Sequence, residues 1–216
     1  MVAGYARDVG RSGIYVETTI RAPMETVWSL SQDAAAHPRW DVRFSRIVPV
    51  PGDDGPTHFT YERGVVVHTV RGTGVSIGET ERPDGSRTSA LRFSTEDRLS
   101  PIREGRGYWR YVPTADGVRF VTGYDYDPGW GRVLDALVRP ALGWATAWSF
   151  DRLRIWAERD EPPERWPLRS ILWFWRPDRP RAARCRRAPA GGRRRGDQLT
   201  DAPPTLDDLP APRRRR

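Results

Sequence analysis

The sequence predicts an α+β fold: a curved antiparallel sheet of six to seven strands wrapped around a long C-terminal helix, with two short helices after the first strand. Three observations predict it. Segments of strand composition and period-two alternation, separated by turn signals, fill residues 42–127. One of these segments carries Gly72, Gly74 and Gly78, a pattern read as bends or bulges in a strongly curved sheet. The strongest helical pattern comes last, at 141–159, so the order does not suit repeated βαβ units.

The elements follow in order. Residues 1–13 are rich in glycine and charge and are read as a flexible terminus. Ile14 to Arg21 is β-branched and reads as strand one. Pro23 suits the first position of a helix, and Glu25 puts a carboxylate at its positive end. Asp33 can cap a second short helix, which Pro38 is expected to cut off before Trp40. Strand character returns at 42–50, and Pro51 to Pro56 is a turn cluster. Further strands are expected near 57–63, 66–80, 87–95, 106–113 and 117–126, with Asp116-Gly117 marking a tight hairpin.

Asp127-Pro128 is expected to open the helical region and Pro140 to kink or split it. Trp144, Trp148 and Ile155 recur on one side of the final helix, flanked by Phe150, Leu153 and Trp156. The folded domain is therefore assigned to 14–160. An aromatic segment at 161–175 is expected to be helical. Residues 176–216 contain 7 Pro and 13 Arg and few large apolar side chains, and they are assigned to a disordered tail.

Charge and cysteine content exclude several function classes. The net charge is +8, but residues 1–175 balance 23 Arg against 23 acidic residues, so the excess belongs to the tail. The domain offers no basic patch for nucleic acid. All basic side chains are Arg and Asn is absent, as in GC-rich coding, so arginine content alone signals little. The single cysteine, Cys185, excludes an intrachain disulfide framework. No stretch approaches the roughly 20 apolar residues of a spanning helix. A cytoplasmic protein is expected. Residues 165–187, where Trp166, Leu168, Ile171 and Trp173 to Trp175 precede arginines, have two readings: a final helix packed back on the domain, or peripheral attachment to an anionic membrane surface.

The run Thr18 to Trp28, with Ile20, Ala22-Pro23, Glu25 and Val27-Trp28, resembles the opening motif of START-like, helix-grip (SRPBCC) proteins, the polyketide cyclase/dehydrase and lipid-transport group. Asp33, Pro38 and Trp40 are similar to its next signature, and Asp116-Gly117-Val118-Arg119 to the hairpin before its last strand, with Val118 where threonine is usual. The resemblance covers about residues 14–160. It implies the helix-grip fold and a hydrophobic cavity, and it does not imply a reaction.

No catalytic constellation stands out. His37, His58 and His68 lack metal-ligand spacing, and no glycine loop joins a strand to a helix, so neither metal nor cofactor is expected. What remains is an aromatic set. Alternation puts Phe59 with Tyr61, Leu91 with Phe93, Trp109 with Tyr111, and Phe120 with Tyr124 on common faces. The expected ligand-lining residues are Trp40, Phe59, Tyr61, Phe93, Trp109, Tyr111, Phe120, Tyr124, Trp144 and Trp148. The expected ligand is an apolar small molecule, such as a lipid or polyketide. The alternative is a cyclase-type enzyme in the same cavity, with Tyr61, His68, Tyr111 and Tyr124 as proton donors or acceptors.

Overall fold

The computed structural model describes residues 13–52, 55–65, 68–80, 82–189, 199 and 202–212. Seven strands form one fully antiparallel sheet: β1 (Ile14–Ile20), β2 (Arg46–Val50), β3 (Thr57–Val65), β4 (His68–Glu79), β5 (Arg87–Ser94), β6 (Ile102–Thr114) and β7 (Gly117–Pro128). Their spatial order is β1-β7-β6-β5-β4-β3-β2, so β2 to β7 form a meander and β1 closes the far edge beside β7. Between β1 and β2 lie α1 (Met24–Gln32) and α2 (His37–Trp40). The long helix α3 (Gly131–Arg159) follows β7. This is the helix-grip α+β architecture that the sequence predicts.

Local chemistry explains the boundaries. Gly117 turns the β6–β7 hairpin at φ +144°, and a Cβ there would fall 2.2 Å from the carbonyl oxygen of Ile20, so only glycine fits. Asp33 Oδ1 accepts the amides of Ala35 and Ala36 ahead of α2. Pro38 does not end that helix; it occupies its first turn, where the missing N–H costs nothing.

Two expectations about α3 are corrected. β7 runs through Asp127 and Pro128, so those residues close a strand, and the helix starts at Gly131. Pro140 lies inside one continuous helix. Its ring and the carbonyl of Ala136 sit on an exposed stretch, where water can take the place of the lost hydrogen bond. The C-terminal half is the buried part: Ala147, Trp148, Phe150 and Leu153 pack in one core with Val16, Ile20, Val27 and Trp40.

The glycines of β4 are not bulges either. Pairing of β4 with β3 and β5 is regular along its length. Each of two glycines lies under an aromatic ring on the neighbouring strand. A Cβ on Gly72 would fall 2.3 Å from Tyr61, and one on Gly74 2.2 Å from Phe59. Gly105 does the same for Phe93, at 2.3 Å. The rings therefore lie flat across the strands instead of standing off the sheet.

After α3 the chain departs from its expected form. Residues 161–175 make two short 3-10 turns, Pro163–Arg165 and Leu168–Leu172, rather than an α-helix, since Pro162, Pro163 and Pro167 remove donors. The assignment of 176–216 to a disordered tail does not describe residues 177–189. Cys185 is buried, with its thiol donating to the carbonyl of Ala147 (3.2 Å), and Arg186 exchanges two backbone hydrogen bonds with Glu17 (2.9 Å each). Nor does it describe 202–212, where α4 (Thr205–Asp208) sits on the convex face. There Leu199, Leu206 and Leu209 cover Val75, Ala90 and Tyr108. Few apolar residues are involved, but nearly all of them are buried, and Arg92 donates to the carbonyl of Leu209 (2.9 Å). Residues 1–12 and 190–198 lie outside the described residues.

Candidate functional site

A cavity of about 690 Å³ opens between the concave face of the sheet and α3. Its construction can be followed along β6 and β7. Near their shared hairpin the concave face is solid. Tyr111 and Phe120 stack at 4.8 Å, and Phe120 stacks on Phe150 of α3 at 4.5 Å. α1 closes that end, with Gln32 donating to the Tyr111 hydroxyl (2.8 Å) and Ser31 bonded to it (2.7 Å). Two residues further along, the packing opens: Trp109, Gly107, Thr122 and Tyr124 face space. The glycine-seated rings Phe59, Tyr61 and Phe93 form the floor, while Leu142 and Ala145 of α3 form the roof.

One wall is charged. Asp41 is fully buried and is gripped by Arg43 (Nη2 to Oδ2, 2.7 Å; Nε to Oδ1, 2.9 Å) and by His37 (Nε2 to Oδ2, 3.2 Å). Burial by itself would raise the Asp41 carboxyl. The Arg43 charge and the hydrogen bonds from His37 and Arg43 outweigh it and hold the group well below the usual carboxylate range. Arg43 also lies 5.3 Å from the Tyr124 ring, and the Tyr124 hydroxyl is bonded to Thr146 (2.9 Å). His37 stacks on Trp40 and meets Trp109 and Phe44. Both His37 and Arg43 line the cavity. This wall therefore offers nitrogen donors beside aromatic faces. At another point on the lining, His68 Nε2 is 2.6 Å from Asp97 Oδ2, and that contact keeps the Asp97 carboxyl low.

Of the ten residues expected to line a ligand site, five stand on the lining of this cavity: Phe59, Tyr61, Phe93, Trp109 and Tyr124. Of the other five, four are core and Trp144 is half-buried against it. Trp40 is fully buried, with its indole N–H on the carbonyl of Leu30 (3.0 Å). Tyr111 and Phe120 fill the solid end. Trp144 and Trp148 stack on each other at 6.3 Å, and Arg152 lies over Trp148, away from the hollow. Of the four proton-transfer candidates, Tyr61, His68 and Tyr124 reach the lining and Tyr111 does not. No hydrogen bond joins any two of the four among the described residues. Burial raises the hydroxyls of Tyr61 and Tyr111 above the ordinary phenol value, so both stay protonated donors. The sequence reading missed His37, Asp41 and Arg43. The Asp41-x-Arg43 pair, four residues beyond a histidine, was the available signal.

The family model described as polyketide cyclase / dehydrase and lipid transport matches residues 13–156. The chain belongs to this family. Among curated proteins, the Bacillus subtilis (strain 168) "uncharacterized membrane protein YndG" is 38% identical over 169 residues, which span 75% of this chain and 63% of that protein. The chain thus spans less than two thirds of that relative. Two solved members of the fold are similar in shape. A STAR-related lipid transfer protein from Xanthomonas axonopodis has a TM-score of 0.51 at 20% identity, covering 64% of this chain and 81% of its own. The Zhui aromatase/cyclase from Streptomyces has a TM-score of 0.50 at 13% identity, covering 70% and 98%. At these identities the likeness is one of fold. No described helix is long and apolar enough to cross a membrane.

Proposed function

We propose that the chain binds one apolar small molecule with an oxygen-bearing end in the cavity between the sheet and α3. The observation that carries this is the glycine-seated floor. Three aromatic rings lie flat over Gly72, Gly74 and Gly105, which widens the space above them instead of filling it. A volume of about 690 Å³ suits a drug-sized or lipid-like ligand. The donors of His37 and Arg43, beside Tyr124, suit a carbonyl, hydroxyl or carboxylate oxygen at one end of an otherwise apolar body. The lipid-transport and cyclase activities of relatives supply the substrate classes to try. Among the described residues the four proton-transfer candidates bond to other partners and not to one another, which favours binding over catalysis. A titration with a solvatochromic apolar dye such as Nile red tests it. The expected result is saturable binding at one site that Ala145→Trp abolishes, because Ala145 forms part of the roof. Binding untouched by that substitution would refute the site.

A second reading, attachment of a carrier to a membrane surface, has its own observation. Leu99 and Trp130 line the cavity and are also exposed, and Val133, Leu134 and Leu137 continue the apolar surface along the first turns of α3. Leu168, Leu172, Phe174 and Trp175, in the segment expected to meet a membrane, are exposed as well. Co-sedimentation with anionic vesicles should fall on Trp130→Ala with Leu137→Ser; vesicle binding unaltered by both changes would remove this reading.

A further inference from the structure

We propose a second ligand site, separate from the cavity: a phosphate-binding pocket formed where residues 181–186 fold back along the open edge of β1. It encloses about 410 Å³, and five of its eight described lining residues are arginines: Arg119, Arg154, Arg159, Arg184 and Arg186. One, Glu17, is a carboxylate. Arginine is common throughout this chain, so the number alone argues nothing. The bonding of these arginines does.

Two of the five are committed. Arg154 donates to Asp151 and Glu158, both at 2.7 Å. Arg184 donates to Asp151 (2.9 Å) and to the carbonyls of Arg179 and Pro177. The other three differ. Arg119 and Arg186 stand 3.6 and 3.3 Å from Glu17, and Arg159 stands 4.0 Å from Glu161. Those separations exceed the about 2.7–2.9 Å of a charge-assisted hydrogen bond. None of the three guanidinium groups donates a hydrogen bond within the described residues, and their side chains are 45%, 60% and 45% exposed. Three planar donor forks therefore converge on one concavity that carries a single carboxylate among its described lining residues, itself held by the Tyr15 hydroxyl at 2.6 Å.

The strand edge adds a further donor. β1 pairs with β7 on one side. On the other, Glu17 exchanges backbone hydrogen bonds with Arg186, and the amide of Arg21 donates to Glu158 (3.0 Å). Alternation along an antiparallel edge sends the Thr19 amide to that same side. Thr19 is the exposed residue of β1 and belongs to the pocket. Several N–H groups approaching from different elements, with net positive charge, match a tetrahedral dianion better than a planar carboxylate. The ligand class is a phosphate group, whether inorganic phosphate, a soluble phosphomonoester or the head of a phospholipid.

Isothermal titration of the full chain with inorganic phosphate, against chloride at equal ionic strength, tests the proposal. Saturable one-site binding is expected. Arg119→Gln or Arg186→Gln should weaken it about tenfold or more, the value of a charge-assisted pair, whereas the exposed control Arg169→Gln should leave it unaltered. Glu17→Gln should tighten binding by removing the competing carboxylate, a gain that misfolding would not produce. Phosphate affinity equal to that of chloride, or equal losses in Arg169→Gln and Arg186→Gln, would overturn the site. Phosphatidylcholine vesicles with and without phosphatidic acid separate the sources. Binding to the phosphatidic acid vesicles that free phosphate displaces assigns a lipid head; phosphate binding without vesicle binding assigns a soluble ligand.

Discussion

Replacing Gly74 by alanine tests the glycine-seated floor. The new Cβ would lie 2.2 Å from Cζ of Phe59, with two further ring carbons at 2.5 and 2.8 Å. Ordinary contact begins near 3.4 Å, so the ring must move by about 1.2 Å, and the free direction is up into the cavity. Overpacking of this kind costs about 1–3 kcal/mol. For a domain of this size, each kcal/mol lowers Tm by about 2–4 °C. Two assays apply together: thermal unfolding, and titration with the apolar dye. Gly74→Ala should lower Tm and weaken the dye, because the displaced ring occupies ligand space. Adding Phe59→Leu, which removes the clashing ring edge, should recover much of the lost stability. A Gly74→Ala protein with unaltered Tm and unaltered dye affinity would show that the Phe59 ring does not rest on the strand.

Other predictions follow from the buried charges and the folded-back segment. Asp41→Asn leaves Arg43 without its counter-charge in a buried site and should cost about 3–5 kcal/mol in denaturant unfolding. Because the Asp41 carboxyl is depressed on folding, its stabilisation is complete above the unfolded value of about 4 and is lost as pH falls below it towards the much lower folded value. Wild type should therefore lose stability on acidification below about pH 4 more steeply than Asp41→Asn; parallel curves would contradict the pairing. Burial, with the nearby Asp151 charge, pushes the Cys185 thiol up to about 12. Native protein should resist alkylation at neutral pH and react on unfolding, whereas rapid native labelling would show that 177–189 does not pack on α3.

Much of the fold was legible because it is written in short-range chemistry. Strand alternation assigned the faces correctly: Phe59, Tyr61, Phe93, Trp109, Tyr111, Phe120 and Tyr124 all point to the concave side. What alternation cannot give is position along a strand. Tyr111 and Trp109 share a face two residues apart, yet α1 packs over the first and leaves the second facing space. The same limit misplaced Trp144 and Trp148, which share the helix with the roof residues Leu142 and Ala145 but point elsewhere. The glycines of β4 were seen, but their role depends on cross-strand register, which joins Gly74 to Phe59 and Gly72 to Tyr61 only after folding. The region after α3 was misread because composition averages over the segment, whereas Cys185, Leu206 and Leu209 act singly, each in a place prepared by the domain.

The most direct test of the cavity as a ligand site is native mass spectrometry of the full chain purified from its own host, beside the Ala145→Trp variant prepared in the same way. One tightly held apolar molecule is expected on the wild type, released on denaturation and absent from the variant. Bare chain mass for both, or the same adduct on both, would contradict it.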